Sequence, residues 1–479
     1  MVVGEIAEPV DLLVVGGGPA GYAAALHAGG RGRGVMLVDR DGVNGLGGVC
    51  LRRGCIPSKA LIELAHLAHS AAGHPAMRKV ARVDLAAFQQ HKSEIVTALA
   101  DGVTGLMKAA NVAVSAGEVR FTRADQAVIR TSDGHARFVE FNDVVIATGS
   151  RPAQVPELAV DHVTVLDSTS ALDLDHVPAT LAVIGAGYIG VELGTALAKL
   201  GASVTLVEAS DRVLPGLDAA LVRPVVRRLT DLGVTVLTES QVVGHATGIL
   251  KVVGNSGEID VEADQVVLAV GRRPNTDELG LHRLGVTVRS DGLLNVGPNR
   301  LIRNHVAAIG DVTPGPALAP KGYAEAPVAV SALCGDRTVF HPAAIPAVVF
   351  SDPEIATVGL TAVDAQREGA EVMTVPIASN GRALTLGAAN GVVQLVTDKD
   401  NGVVLGLHIV GPQASEIIAE GVVAIEMGAT AADLSDIIHV HPTVAEQVQE
   451  AARSAAGYGL HHPARNGRRA TVQTIKPVV

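Results

Sequence analysis

The sequence has no tryptophan, and only 4 tyrosines and 6 phenylalanines among 479 residues. An aromatic-cored sandwich is thereby disfavoured, and the interior has to be built from aliphatic side chains. Cysteine is equally scarce: Cys50, Cys55 and Cys334 cannot make a disulfide framework. Positive charge is short as well, with 38 Lys and Arg against 49 Asp and Glu and a net charge of −11. That balance gives a nucleic-acid partner no electrostatic help, and no basic stripe is dense enough to reverse it. No uninterrupted apolar run reaches the roughly 18 residues of a membrane span. Near the N terminus, Glu5 and Glu8 stand where a signal peptide would be basic. A soluble, cytoplasmic protein is the expectation.

Hydrophobic residues make up 48% of the chain and charged residues 18%, so a sizeable interior is available and general disorder is excluded. At about 100–200 residues per domain, the length predicts two to four domains. Glycine is abundant, at 53 residues, which favours glycine-turned α/β units.

The apolar run DLLVV at 11–15 leads into GGGPAG, an alanine-rich helix pattern, and VMLVD ending at Asp39. Gly16, Gly18 and Gly21 supply the GxGxxG spacing of a dinucleotide-binding turn, with Asp39 as the acid that follows its second strand. The chain then repeats the pattern. In LAVIGAGYIG, Gly185, Gly187 and Gly190 stand to Glu208 as the first three glycines stand to Asp39, each acid lying 23 residues after its first glycine. Equal spacing demands matching helix, return loop and strand, which two unrelated glycine turns do not supply. Each unit also closes late on an apolar strand running into glycine, DVVIATGS at 143–150 and QVVLAVGRRP at 265–274.

A third strand-to-glycine segment, VAAIGDV at 306–312, precedes the helix-like KGYAEAPVAVSAL, where the chain is expected to return to its first domain. From about residue 346 strands alternate before two helices, an α+β pattern. The predicted fold is α/β: two Rossmann-like dinucleotide-binding domains, the second inserted into the first, plus a C-terminal α+β dimerisation domain. The expected boundaries are 1–150 and 272–345 for the first domain and its return, 151–271 for the second, and 346–479 for the last. The final 20 or so residues are basic and read as a frayed or docked tail.

The segment GLGGVCLRRGCIPSKAL is the sharpest chemical signal. In an unbroken helix, five residues would set the Cα atoms of Cys50 and Cys55 about 8 Å apart, beyond disulfide reach. Gly54 lets the backbone tighten between them, with a helix expected from about Ser58, and nearby amides and Arg52 and Arg53 are available to stabilise a thiolate. The competing reading is a buried, unreactive pair. Metal binding is disfavoured because no CxxC or nearby His/Cys set completes four ligands. Cys334 reads as packing. Lys59, one turn beyond Cys55, can place a cation beside a ring that gains electrons, or simply snorkel to the surface. In IIHVHPTVAEQ, His441 has the pKa range of a general base and is held at a Pro442–Thr443 corner, with Glu446 placed to fix its tautomer. Locally, the same residues read equally well as a surface histidine and an ordinary helix-start acid.

Taken together, GGVCLRRGCIPSKAL, VIGAGYIGVELG, ATGSRP, AIGDV and HVHPTVAE closely resemble the dihydrolipoyl dehydrogenases, class I pyridine-nucleotide disulfide oxidoreductases, over about residues 10–460. The resemblance implies FAD and NAD as cofactors and a homodimer in which each active site takes its disulfide from one subunit and its histidine from the other. It implies that Cys50 exchanges with substrate, Cys55 faces the flavin, Lys59 lies near it with Glu192 as ion-pair partner, and His441 with Glu446 does the acid–base work. Asp39 would hold the adenosine ribose of FAD and Asp311 the ribityl chain. Thr148, Gly149 and Ser150 of ATGSRP, and Ala319 at the start of a helix, complete the FAD contacts. Gly185, Gly187, Gly190, Glu208 and Gly271 line the NAD side. Arg52 and Pro320 depart from the family's usual residues without removing a catalytic group.

The implied activity is oxidation of protein-bound dihydrolipoyl groups through a Cys50–Cys55 disulfide, with NAD+ reduced to NADH. The expected partners are lipoylated carrier domains of a 2-oxo acid dehydrogenase or glycine-cleavage complex. Rival readings are another NAD(P)H-dependent flavin disulfide reductase and a non-catalytic nucleotide-binding interaction protein. A C-terminal vicinal cysteine pair, as in mercuric reductase, is absent from the sequence, and Glu208 would repel the 2′-phosphate of NADPH.

Overall fold

The computed structural model describes residues 7–74, 76–77, 83–255 and 257–462. The signal-peptide reading at Glu5 and nearly all of the basic tail fall on residues 1–6 and 463–479, outside the described residues. The chain divides into two compact units. One comprises Met1–Gly185, Lys199–Ser203 and Val242–His341; the other comprises Ala186–Ala198, Val204–Gln241 and Pro342–Val479.

In the first unit the strand Glu8–Val15 runs parallel to Val35–Asp39 on one side and to Ala136–Ile146 on the other. Side chains alternate across a strand, and both faces of this one are covered, so it reads as an unbroken apolar run. Leu12 and Val14 pack with Ala24, Ala25 and Ala28 of the helix Pro19–Gly30. Leu13 and Val15 join Phe121 and Phe141 in the core of the opposite face. Those two phenylalanines meet edge to face at 5.9 Å, so a third of the chain's few Phe residues serve one contact. The strand Val306–Ala308 pairs in parallel with Ala136–Ile146, which returns the chain to its first sheet. Between them lies a separate parallel set in which Gln265–Leu268 is flanked by Val165–Asp167 and Thr180–Ile184. The long helix Leu85–Ala109 and the antiparallel pair Ile249–Gly254 and Gly257–Glu262 have no counterpart in the sequence reading.

The first glycine loop is fixed by crowding. Gly16 has φ +107°, and a Cβ there would lie 2.3 Å from the Ala147 carbonyl oxygen. A Cβ on Gly21 would lie 1.8 Å from the oxygen of Gly16. The second loop repeats the geometry: Gly185 has φ +98°, and its Cβ would lie 2.5 Å from the Ala269 oxygen. The repeat extends to the acids. The N–H of Gly17 donates to Asp39 Oδ2 at 2.8 Å, and in the other unit the N–H of Ala186 donates to Glu208 Oε2 at 2.7 Å. Each donor is the residue after its loop's first glycine.

In the second unit Thr205, Leu206 and Val207 pair in parallel with the strand Thr235–Leu237. Its C-terminal part is a five-stranded antiparallel sheet in the order Ala347–Val349, Glu354–Gly359, Val404–Gly411, Val392–Thr397, Glu371–Pro376. Ile418 and Ala424 of the helix Ala414–Met427, and Val448, Ala451 and Ala452 of Glu446–Ala455, close a core with Leu395, Leu407 and Ile409 of this sheet. No helix among the described residues is long and apolar enough to cross a membrane.

Because the obstacle at Gly21 is main chain, it cannot rotate away. Gly21→Ala is expected to cost roughly 1–3 kcal/mol. Gly30→Ala, where nothing lies within 4 Å, is the control. It is expected to be neutral or slightly stabilising, by up to about 1 kcal/mol of helix propensity. Denaturant unfolding of the two variants measures the difference, and equal midpoints would contradict the crowding account.

Candidate active site

The two close cysteines sit at a break between helices. Gly48–Arg53 is a short helix carrying Cys50, Gly54 adopts φ −145° and ψ −102°, and Cys55 opens the helix Cys55–Gly73. The second helix therefore starts three residues earlier than Ser58, with Pro57 inside its first turn, where a missing N–H costs nothing. The Cys50 and Cys55 side chains interact with each other. That interaction and then burial push the Cys50 thiol well above its ordinary pKa, against the opposing charge of Lys59.

Arg52 and Arg53 do not serve the thiols. Arg52 Nε donates to the Leu46 carbonyl at 2.7 Å, and Arg53 bridges to Asp41 at 3.0 Å, so both secure the turn before the helix. That turn is set directly on the first glycine loop. The N–H of Gly47 donates to the Gly17 carbonyl at 2.9 Å, and a Cβ on Gly48 would lie 2.6 Å from the Cα of Gly18. The thiol pair and the dinucleotide loop are thus one construction.

Further along the same unit, Thr148 Oγ1 donates to the Asn275 carbonyl at 2.6 Å, and the N–H of Asn275 donates to the Gly149 carbonyl at 2.9 Å. Gly149 is left-handed, at φ +68°. Ser150 Oγ donates to Asp311 Oδ2 at 2.6 Å and accepts from Arg272 Nε at 2.8 Å. Ala319 is the first residue of the helix Ala319–Leu333, and Pro320 lies in its first turn.

One turn into that helix lies a group the sequence reading missed. Lys321 is buried, and its Nζ donates to the Gly310 carbonyl at 2.8 Å and to Thr313 Oγ1 at 2.9 Å. Burial lowers its pKa, against the favourable charge of Glu325. Glu325, with no solvent exposure, pairs with Lys321 at 3.3 Å and with Arg300 at 2.9 Å, and accepts the N–H of Gly310 at 2.7 Å. The cluster grips both ends of the segment that presents Asp311. Lys321 and Glu325 are four residues apart on a helix, which in sequence looks like any surface pair.

In the second unit, His441 Nδ1 meets Glu446 Oε1 at 2.9 Å, and the N–H of Thr443 donates to Glu446 Oε2 at 2.8 Å. Burial raises the Glu446 pKa, but the Thr443 and His441 hydrogen bonds outweigh it and hold the carboxyl below its ordinary value. The histidine ring is 81% exposed, with one nitrogen fixed. Glu192 is buried and accepts the N–H of Phe350 at 2.9 Å. Glu208 also accepts the N–H of Ser210 at 2.8 Å, so both its oxygens are engaged by backbone. Gly190 is buried within the helix Tyr188–Lys199.

The loops fit dinucleotides on two grounds. The helix Pro19–Gly30 has no side-chain cap at Gly18, which leaves first-turn N–H groups for an anion. Around Gly187 and Gly271 nothing lies within 4 Å of a built Cβ, so the missing side chains leave open space rather than relieve crowding.

Residues 10–326 match the pyridine nucleotide-disulphide oxidoreductase model, and residues 345–452 match the dimerisation domain of the same proteins. The dihydrolipoyl dehydrogenase of Geobacillus stearothermophilus is 42% identical over 471 residues, covering 96% of this chain and 99% of the relative. That of Halobacterium salinarum is 41% identical over 473 residues, with the same coverage. The chain belongs to the dihydrolipoyl dehydrogenase family. Among solved structures, LpdA from Mycobacterium tuberculosis is similar with a TM-score of 0.85 and 28% identity, covering 93% of this chain and 99% of that one. The flavoprotein disulfide reductase RclA from Escherichia coli gives a TM-score of 0.81 at 25% identity, covering 92% and 98%. As a dihydrolipoyl dehydrogenase family member the chain is an FAD- and NAD-dependent oxidoreductase with two Rossmann domains and a dimerisation domain.

Removing one partner from a buried ionic cluster strands the others. Glu325→Ala is therefore expected to cost about 3–5 kcal/mol in the unfolding of the FAD-free protein. An unfolding midpoint equal to that of the parent would show that the cluster does not hold this segment.

Proposed function

We propose that the chain oxidises protein-bound dihydrolipoyl groups with Cys50 and Cys55 as the exchanging pair, His441 and Glu446 as the acid–base pair, and NAD+ as the final acceptor. The observation that carries the reading is the thiol pair seated by Gly47 and Gly48 on a dinucleotide loop. Starting from the Cys50–Cys55 disulfide, one substrate thiolate attacks Cys50 sulfur and the Cys55 thiolate leaves. The second substrate sulfur then displaces Cys50, closing the lipoyl disulfide and leaving the enzyme dithiol. FAD, when bound, supplies the two-electron relay from that dithiol to NAD+, and NADH and a proton balance the reaction.

His441 takes the substrate thiol proton. Glu446 holds its Nδ1 at 2.9 Å, which supports the opposite nitrogen as the working one. In a homodimer, His441 of one subunit serves the thiol pair of the other. Asp39, Asp311, Thr148, Gly149, Ser150 and Ala319 are assigned to FAD, with Lys59 and Glu192 beside the flavin. Gly185, Gly187, Gly190, Glu208 and Gly271 are assigned to NAD. The domain boundaries at 150, 271 and 345 follow the same assignment. Lipoylated carrier domains of 2-oxo acid dehydrogenase or glycine-cleavage assemblies are the protein partners, and the cytoplasm, where a thiol pair is cycled rather than locked, is the compartment.

Cys50→Ser and Cys55→Ser are each expected to retain FAD and to lose dihydrolipoamide:NAD+ activity by more than about 10³-fold, since a covalent step disappears. Normal turnover in either variant would remove the pair from the reaction. Coenzyme choice is expected to favour NADH over NADPH in kcat/KM for the reverse reaction, because Glu208 presents a fixed carboxylate to the ribose end. A preference for NADPH would overturn that assignment. His441→Gln is expected to slow disulfide reduction by dihydrolipoamide on the order of 10²–10⁴-fold with FAD retained. Glu446→Gln removes a carboxylate that favours the charged ring, so the apparent histidine pKa falls. Stopped-flow rates across pH read both effects.

A further inference from the structure

Two residues before His441 stands a second histidine–carboxylate pair that the proposed cycle does not use. The side chain of His439 is only 8% exposed, against 81% for His441. His439 Nε2 lies 3.0 and 3.2 Å from the two oxygens of Glu420, which projects from the helix Ala414–Met427. His439 Nδ1 lies 3.1 Å from the Ile437 carbonyl oxygen.

A carbonyl oxygen only accepts, so Nδ1 carries a hydrogen. Nε2 then either donates to a Glu420 carboxylate or accepts from a Glu420 carboxylic acid. Both arrangements contain the same number of protons, and both are neutral overall. Burial raises the pKa of Glu420 and His439 opposes it, and the Glu420 side chain keeps 24% exposure. His441 and His439 both act on Glu446, and His439 acts on Glu420.

The segment is therefore held at both ends by carboxylates from two helices. Glu420 fixes His439 and, through Ile437, the chain entering the segment. Glu446 fixes His441 and Thr443, and Thr443 Oγ1 closes on the Val440 carbonyl at 2.8 Å. Gln449 Nε2 also donates to the Ile437 carbonyl, so the entry is tied to the helix Glu446–Ala455 as well.

We propose that His439 is a positioning residue for His441: held by Glu420, it pins the segment entering the base and cancels the Glu420 charge, so that Glu446 alone sets the charge on His441. The proposal rests on His441 being the base and goes beyond it by assigning the neighbouring pair.

The test compares His439→Gln with the double variant His439→Gln/Glu420→Gln in the full-length holoenzyme. The readout is the pH profile of the stopped-flow reduction of the enzyme by dihydrolipoamide, after FAD content and dimerisation have been matched. In His439→Gln an uncompensated carboxylate faces the segment. The His441 limb of the profile is expected to move to higher pH by on the order of half a unit. In the double variant the charge is gone, and the limb is expected to return to the parent position while the rate stays below it, because the pin is lost. A His439→Gln limb at the parent pH, or a double variant displaced as far as the single, would overturn the proposal. His441→Gln, run alongside, separates the two readings. If it leaves rate and profile unchanged, the base assignment itself has failed; if it removes the limb while His439→Gln resembles the parent, only the present inference has.

Discussion

At the first nucleotide loop, backbone passes backbone with no side chain between. Gly16 presses on the Ala147 carbonyl, Gly21 on the carbonyl of Gly16, and Gly48 on the Cα of Gly18. Such approaches admit no Cβ, so the positions of three segments depend on one another. The strand Glu8–Val15 delivers the loop, the strand Ala136–Ile146 leads to Ala147, and Gly47 and Gly48 bring in the helix with Cys50. A small displacement of any one would move the thiol relative to the nucleotide loop.

Where the first loop is set by exclusion, the start of the helix Ala319–Leu333, packed against Ala20 beside it, is set by charge. Glu325 gathers Arg300, Lys321 and the Gly310 N–H around a carboxylate with no water contact. Two cations against one anion would be costly alone, and Asp311 adds a further attraction for Lys321. Clusters of this kind contribute little net stability compared with an apolar core. What they supply here is direction: Asp311, which accepts from Ser150, hangs from a loop whose ends are bonded to a buried lysine and a buried glutamate.

Legibility in the sequence followed the range of the interaction. The two nucleotide loops could be read because their glycines and acids are locked by spacing, and the Gly17–Asp39 and Ala186–Glu208 hydrogen bonds show what that spacing maintains. The return strand Val306–Ala308 was legible as a third apolar run into glycine, and His441 and Glu446 as neighbours five residues apart. The start of the cysteine helix was not, because Pro57 looks like a boundary while a first-turn proline is compatible with a helix already begun. Arg52 and Arg53 looked like thiolate partners, yet carbonyls and a carboxylate in the preceding turn hold them. The Lys321 cluster left no local trace, and His439 read as a supporting or packing histidine without its partner Glu420, since burial is decided by elements distant in sequence.

In the proposed cycle the thiol pair explains why a base is required. A hydrogen bond to Cys55 and burial hold the proton on Cys50, and Lys59 only partly offsets them. One Asp311 oxygen already accepts from Ser150. The groups acting on Cys50 therefore favour keeping the proton where thiol exchange requires it to move. In that proposal an imidazole with one nitrogen bonded to a carboxylate and its ring open to solvent supplies what the neighbourhood lacks. The proposed division of labour is then physical as well as chemical: a Cys50 thiol that holds its proton, and an exposed imidazole whose orientation is fixed by Glu446 before substrate arrives.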